Sequence, residues 1–460
     1  MMSTPQIPLA DLLAWTGGRA LGPLPDFCTG VTQDTRNLRP GDLYVALRGE
    51  RMDGHAFAVQ AIEKGAAAAL VAEDWDSAGT FKHLPLVAVA DPMAALTGLA
   101  AAWRQRCRAR IVGLTGSSGK TTTKELTAAL LKAGGARVRY TQGNLNNAIG
   151  LPLSLLRLSD DDAFGVFETG TNHPGEIAHL AEILKPDAAI LTNIGIAHIE
   201  NFGSREAIAE EKGTLLAAVP ENGFAVLPLE TYGFDSIAAR VKAKVVTVSL
   251  QSRDADYFGE AVNLSEGRVR ITARDGSEVT LASGIPGEHI ALDLLLAFAA
   301  AHQCGIAPEA CVGALEGFSL PGGRWSVSRS GGVTYINDAY NANPQSMAAS
   351  LTAFAGYPCD GRRIAVLGDM LELGNQSAAL HGEIGAMCAS LGVDLLITVG
   401  EQSAEHMAAS AIAAGLPSAQ IRSFPDSGSA TKAYLMETVS SGDAVLFKGS
   451  HGMALEKLLP

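Results

Sequence analysis

The sequence predicts an α/β protein of three domains: a small α/β N-terminal domain, a central P-loop-type parallel α/β sheet with a small β insert, and a Rossmann-like C-terminal domain. An apolar run at residues 110–114 leads into a small-residue turn and a helix-forming segment at 121–132, closed by Gly134 and Gly135. Elsewhere, short apolar strands alternate with helical stretches and end in polar residues, the pattern of parallel sheets with ligands at the strand C-termini. At 460 residues the chain is also too long for one core. The expected divisions are 1–84, 85–319 and 320–460.

The bulk numbers exclude several classes. A net charge of −13 with no run of basic residues argues against nucleic acid and anionic membranes as partners. Six cysteines without a C-x-x-C pair suggest neither a disulfide framework nor a zinc site, so a reducing cytoplasm is expected. The N-terminus is polar. The longest apolar stretch, 290–301, is interrupted by Asp293 and too short to span a bilayer. A cytoplasmic monomer without membrane insertion is expected.

In the first domain, the turn Pro40-Gly41-Asp42 leads into a strand at 43–47. A helix at 55–64 ends at Gly65 and a strand follows at 66–71. Polar clusters at 32–36 and 48–55 fall at strand ends, as ligand loops or as plain turns. In the second domain, Asp91-Pro92 opens a helix to Arg106. Beyond the turn and helix come a polar loop at 141–147, a strand at 165–167 ending in Glu168-Thr169-Gly170, and a strand at 188–192 ending in Asn193. Valine-rich runs between 224 and 285 suggest the largely antiparallel insert. After Pro321-Gly322-Gly323, strands at 333–336, 363–367, 395–399 and 444–447 make the third domain.

The turn Gly116-Ser117-Ser118-Gly119-Lys120-Thr121 has the composition of a phosphate cradle. Backbone N–H groups, a helix N-terminus and a lysine all favour anions. It is shorter than the general P-loop, whose first glycine would stand at Leu114. The plain alternative is a Gly/Ser turn with a solvated lysine. Glu168 could hold a divalent cation with the Thr121 hydroxyl, or merely cap the next helix. His198 is ambiguous alone. Ser204 is a plausible N-cap for a helix at 205–218, on which Ile208, Lys212 and Leu215 share a face. A lysine there either snorkels to solvent or loses solvation and becomes a neutral amine able to add CO₂. Arg324 could reach a nucleotide phosphate across a cleft. The segment 337–344, with Asp338 and Asn341, suits ribose or base recognition, or forms an Asx-rich turn.

Together these motifs resemble the Mur ligase family, the ATP-dependent amino-acid ligases of peptidoglycan synthesis. The similarity runs from the loop through Asn144–Asn147, Glu168-Thr169-Gly170, Asn193, His198 and Lys212 to Gly323-Arg324. Residues 169–176, 338–344 and 366–374 with His381 resemble the branch that adds D-alanyl-D-alanine. The resemblance implies joining of that dipeptide to UDP-N-acetylmuramoyl-tripeptide through an acyl phosphate, with ATP and two Mg²⁺ sites. Carried over by position, Thr115, Gly116, Ser117, Ser118, Gly119, Lys120, Thr121 and Thr122 hold ATP phosphates, with Asp293, Arg324, Asp338 and Asn341 as further ATP contacts. Lys120, Glu168, His198 and Lys212 are the implied catalytic group. Thr121, Glu168, His198 and a carbamylated Lys212 are the implied metal ligands. Thr35, Arg36, Asp53 and His55 are candidates for the UDP end, and Asn144, Asn146, Asn147 and Thr169 for the muramoyl peptide.

Three positions depart from the family pattern. His289-Ile290-Ala291-Leu292-Asp293 stands where His-Asn-x-x-Asn is common, which puts adenine contacts from that helix in question. His451 replaces an arginine after Lys448-Gly449-Ser450, and Trp325 adds a bulky aromatic after Arg324. Rival readings are a folylpolyglutamate-type ligase, against which the N-terminal domain argues, a P-loop kinase or regulatory ATPase, and a non-catalytic ATP-binding scaffold.

Overall fold

A computed structural model describes residues 5–49, 52–75 and 79–460. Glu50 and Arg51 of the 48–55 cluster, and the start of the polar N-terminus, lie outside the described residues.

The N-terminal sheet is ordered 19–20, 86–89, 68–72, 42–45, 30–32, and its last four strands are parallel. The strand Leu86–Val89 pairs with Ala68–Ala72, so this sheet continues beyond residue 84, where the sequence placed a division. The helix expected at 55–64 forms as a 3₁₀ turn, Gly54–Phe57, followed by Ala58–Glu63. Helix Pro92–Arg106 opens as expected, with Asp91 accepting from the Met93 N–H at 2.8 Å. Its buried face, including Leu96, Leu99 and Trp103, joins one apolar core that runs from the N-terminal sheet into the central domain.

The central sheet has nine strands. Arg110–Thr115 is the third strand from one edge, flanked by Phe164–Glu168 on one side and Ala188–Leu191 on the other, all parallel. Register sets the site: Glu168 pairs with Leu114 and Leu191 with Thr115. The ends of both neighbours therefore emerge beside the small-residue turn. The valine-rich region is not a wholly antiparallel insert. Phe224–Pro228, Lys244–Ser249 and Tyr257–Asn263 extend the sheet in parallel, and antiparallel pairing begins only where Arg268–Ala273 joins Tyr257–Asn263 and continues to Glu278–Ala282. Helix Glu288–Gln303, apolar nearly all round, is buried against this sheet and beside helix Lys120–Ala133.

The C-terminal sheet is ordered 326–330, 333–337, 444–448, 363–368, 395–399, 421–424, and is parallel except for its first pair. Ile290 and Trp325 are buried in its core with Ile336, Met347 and Phe354. Ile290 thus replaces a polar residue with an apolar contact to the third domain. Trp325 donates its backbone N–H to Asp338 and packs edge-on to Tyr357.

One buried cation joins helix Pro92–Arg106 to the central sheet. Arg104 donates to the carbonyls of Leu184, Lys185 and Cys107 and to the Asp187 carboxylate at 2.9 Å. Asp187 also accepts from the Ile111 N–H at the start of the central strand. Arg104→Ala leaves these carbonyls unpaired and should cost about 2–3 kcal/mol, read as a lower denaturation midpoint of the intact chain.

Candidate active site

The turn after Arg110–Thr115 is held open by neighbouring strand ends. Gly116 approaches the next strand so closely that a Cβ would lie 1.8 Å from Thr192 Oγ1, and Gly119 has φ +76°. Asn193 clamps the loop: its backbone carbonyl accepts from Ser117 N–H, its Oδ1 accepts from Ser118 N–H, and its Nδ2 donates to Ser118 Oγ at 2.8 Å. Ser117 Oγ accepts from Gly195 N–H. Thr115 is buried, and its hydroxyl has no hydrogen-bond partner among the described residues. Thr122 is buried on the first helical turn.

Lys120 folds back to donate to the Gly116 carbonyl at 2.8 Å. Loss of solvation lowers its pKa, Glu168 opposes this, and Arg324 adds to it. Thr121 Oγ1 donates to Glu168 Oε2 at 2.9 Å, and Asn146 Nδ2 donates to Glu168 Oε1 at 2.8 Å. Glu168 is 2% exposed and sits beside the lysine. The plain-turn reading leaves this convergence unexplained.

Lys212 is 2% exposed on helix Arg205–Ala217, whose Ser204 cap accepts from Ala207 N–H. It does not snorkel. Burial pushes its pKa down to about 7, Lys120 acts the same way, and Glu211 opposes. Glu211 spans the start of helix Glu176–Leu184, accepting from Gly175 N–H and Ile177 N–H. His198, at φ +61°, meets the Glu372 carboxylate of the third domain through Nδ1. Burial lowers its pKa, Glu372 opposes, and the charges of Lys120 and Lys212 also lower it.

Several expected contacts have other duties. His55 is 1% exposed, with Nδ1 on Asp53 at 2.6 Å and Nε2 accepting from Ala72 N–H. Both ring nitrogens are used by the fold, so His55 does not face a ligand. Thr169 is fully buried, and its N–H and hydroxyl both donate to the Leu114 carbonyl. It supports the central strand. Asp293 does not face a base: it lies behind the loop, accepting from Thr123 Oγ1 at 2.9 Å, and a Cβ at Gly119 would lie 2.4 Å from its Oδ1. Asp338 is occupied by Lys448 at 2.7 Å, Trp325 N–H and Ser350, while the Asn341 carbonyl accepts from Lys448.

Asn144 is exposed, and Asn147 Oδ1 accepts from the Ile149 and Gly150 N–H groups at the start of helix Gly150–Leu155. Arg36 pairs with Asp34 at 2.7 Å, Lys64 donates to the Thr35 carbonyl, and both residues lie far from the loop in sequence. Arg324 stacks on Tyr340 with its guanidinium carbon 3.6 Å from the ring centroid, and Tyr340 in turn meets His451. His381 is a fold residue, accepting from Met370 N–H.

A cleft of about 570 Å³ opens beside the loop, lined among others by Asn193, Ile194, Arg205, His289, Leu292 and Thr352. Asn193, Asn343 (which donates to the Ser117 carbonyl) and Glu372 were not singled out from sequence as site residues. The signal was present for all three, which sit inside motifs that carried the family resemblance.

The comparisons agree with this architecture. Residues 28–104 match the family model described as Mur ligase family, catalytic domain. Residues 114–301 match the Mur ligase middle domain, and 323–451 the Mur ligase, glutamate ligase domain. The chain is 36% identical to the UDP-N-acetylmuramoyl-tripeptide--D-alanyl-D-alanine ligase of Escherichia coli, covering 93% of this chain and 92% of the relative. The chain belongs to the Mur ligase family. Among solved structures, this Mur ligase is similar to MurF from Acinetobacter baumannii, with TM-score 0.87 and 28% identity over 99% and 98% of the two chains. It is likewise similar to MurF from Thermotoga maritima in complex with ADP, with TM-score 0.78 and 30% identity over 93% and 96%. Use of ATP follows for this Mur ligase. Among its described residues no helix is long and apolar enough to cross a membrane.

Burial raises the Asp293 pKa well above the usual carboxylate range, and the Thr123 hydrogen bond opposes this. The folded state therefore keeps a proton that the unfolded chain releases near pH about 4. Its stabilising share is full below that pH and is lost as pH rises through the folded value. Asp293→Asn keeps an acceptor for Thr123 without an ionisation to suppress. Its denaturation midpoint should rise relative to wild type between pH about 5 and about 8.

Proposed function

We propose that this Mur ligase joins D-alanyl-D-alanine to UDP-N-acetylmuramoyl-tripeptide in the cytoplasm, using ATP, to supply peptidoglycan precursor. The observation that carries the reading is the meeting of Thr121 and Glu168 beside Lys120, at the C-terminal edge of the central sheet. The tripeptide's terminal carboxylate attacks the γ-phosphate of ATP, giving an acyl phosphate and ADP. The dipeptide amine then adds to the acyl carbon, phosphate leaves, and the amine's proton passes to solvent or a neighbouring base.

Both reacting groups are anionic, so charge neutralisation is the main task. Lys120 leaves the Gly116 carbonyl for the β/γ-phosphates, and the loop's N–H groups bind their oxygens. The adenosine part occupies the cleft lined by Asn193, His289 and Leu292, and Arg324 approaches the phosphates from the third domain. Asp338 and Asn341 act indirectly, by seating Lys448. For the other substrate, Thr35, Arg36 and Asp53 are kept for the UDP end, and Asn144 and Asn147 for the muramoyl peptide. Asn146 holds Glu168.

The donor set fits Mg²⁺. Thr121 and Glu168 present hard oxygen atoms, and no three His, Cys, Asp or Glu side chains gather as a metal site among the described residues. The protein would supply part of a shell that phosphates and water complete. Bound there, Mg²⁺ would neutralise charge shared by phosphate and carboxylate. His198 and Lys212 are assigned to a second such site. The Lys212 amine makes no hydrogen bond or ion pair among the described residues, and burial pushes its pKa down to about 7, which favours the neutral form. That state is the one able to add CO₂ as a carbamate.

Phosphate release should require both UDP-N-acetylmuramoyl-tripeptide and D-alanyl-D-alanine; release indifferent to the dipeptide rejects the ligase reading. Lys120→Ala should lower kcat by about 100-fold or more, a loss of the size seen when one charge-stabilising donor is removed. With ¹³C-bicarbonate, wild type should show a carbamate carbonyl resonance that Lys212→Ala lacks. Identical spectra would reject carbamylation.

A further inference from the structure

We propose that Glu372, reaching from the third domain, is a positioning residue for His198 and thereby for the phosphoryl-transfer centre. The inference rests on the assignment of His198 to that centre.

Five non-glycine residues have positive φ among the described residues, and His198 (φ 61°) and Glu372 (φ 63°) are two of them. A side chain with a Cβ occupies this region only where its surroundings over-determine it. These two, 174 positions apart, meet through Nδ1 and the carboxylate. The elements around them also pack together. Helix Ile199–Phe202 lies against the turn Gly374–Gln376, where a Cβ on Gly374 would lie 3.4 Å from Glu200 Cβ.

The loop carrying Glu372 is anchored on several sides. Met370 N–H donates to His381, Leu371 N–H donates to Ser450 Oγ at 3.0 Å, and Asp369 accepts from Ser403 N–H at 2.7 Å. Ser450 N–H donates to the Asp369 carbonyl, tying the loop to the end of the neighbouring strand. Glu372 is therefore a half-exposed side chain on a fixed backbone.

An ionised carboxylate only accepts, so Nδ1 of His198 carries the hydrogen and Nε2 keeps the ring's lone pair. A carboxylate partner of this kind fixes both tautomer and ring orientation in metal-binding histidines. The pair also spans two domains. The correct imidazole geometry then exists only when the third domain sits against the central one, which couples closure over ATP to assembly of the site.

The test uses full-length Glu372→Ala, Glu372→Gln and His198→Ala, each compared with wild type for thermal midpoint. Steady-state phosphate release gives kcat and KM, and electron paramagnetic resonance gives Mn²⁺ affinity in the presence of ADP. Glu372→Ala should lower kcat and weaken Mn²⁺ binding by about 10- to 100-fold, with KM for ATP and dipeptide little changed. Glu372→Gln, whose amide oxygen still accepts from Nδ1–H, should recover most of both. Wild-type kcat in Glu372→Ala, a change confined to the dipeptide KM, or no recovery in Glu372→Gln would each overturn the proposal. If His198→Ala is itself wild-type in kcat and Mn²⁺ affinity, the assignment of His198 fails. If His198→Ala is impaired while Glu372→Ala is not, only the role of Glu372 fails.

Discussion

The structure depends on the parallel register around Arg110–Thr115. Because Glu168 pairs with Leu114 and Leu191 with Thr115, both neighbouring strands end level with the small-residue loop 116–119. Glu168 then reaches Thr121 from one side while Asn193 clamps Ser117 and Ser118 from the other. A slip of one residue would turn Glu168 to the opposite face of the sheet. The close approach of Gly116 to Thr192 follows from the same register: there is no room for a Cβ where the loop crosses the next strand.

Around this edge, the buried polar groups divide into those that bear on the site and those that hold the fold. The Lys212 amine has no hydrogen-bond or ion-pair partner among the described residues, and its pKa falls although Glu211 opposes this, which suits a reactive amine. Arg104, also buried, is saturated by carbonyls and Asp187, which suits a strut. Asp293 is a third kind: a buried acid behind the loop whose pKa burial raises, supporting Thr123 and leaving Gly119 no room for a side chain. Uncompensated burial is costly. Lys212 accordingly stands out more sharply against a background in which His55, Thr169 and His381 are all satisfied.

Much of the fold was legible in the sequence because its signals are local. Asp91-Pro92 and Ser204 announced their helices, and the small-residue turn between strand and helix announced the loop. The region 224–285 was harder to read. A valine-rich strand has the same composition whether its neighbour runs parallel or antiparallel, and here the first two strands pair in parallel. The first division was also misplaced: nothing local shows that Leu86–Val89 pairs back to Ala68–Ala72.

The sequence by itself determined the small-residue loop between strand and helix, its lysine, the strand-end carboxylate and the apolar helix face that carries Lys212, since these follow from residue type and periodicity within a few turns of chain. Tertiary structure decided which polar residues are free to act. His55, Thr169 and Asp338 look like ligand contacts as residue types, yet their hydrogen-bonding capacity is taken up by distant backbone and side chains. Glu372 is the converse case, brought to His198 by packing between two domains. Hydrogen-bond saturation and inter-domain contact are properties of the folded chain, because the partners lie tens to hundreds of residues apart and no local pattern encodes their meeting.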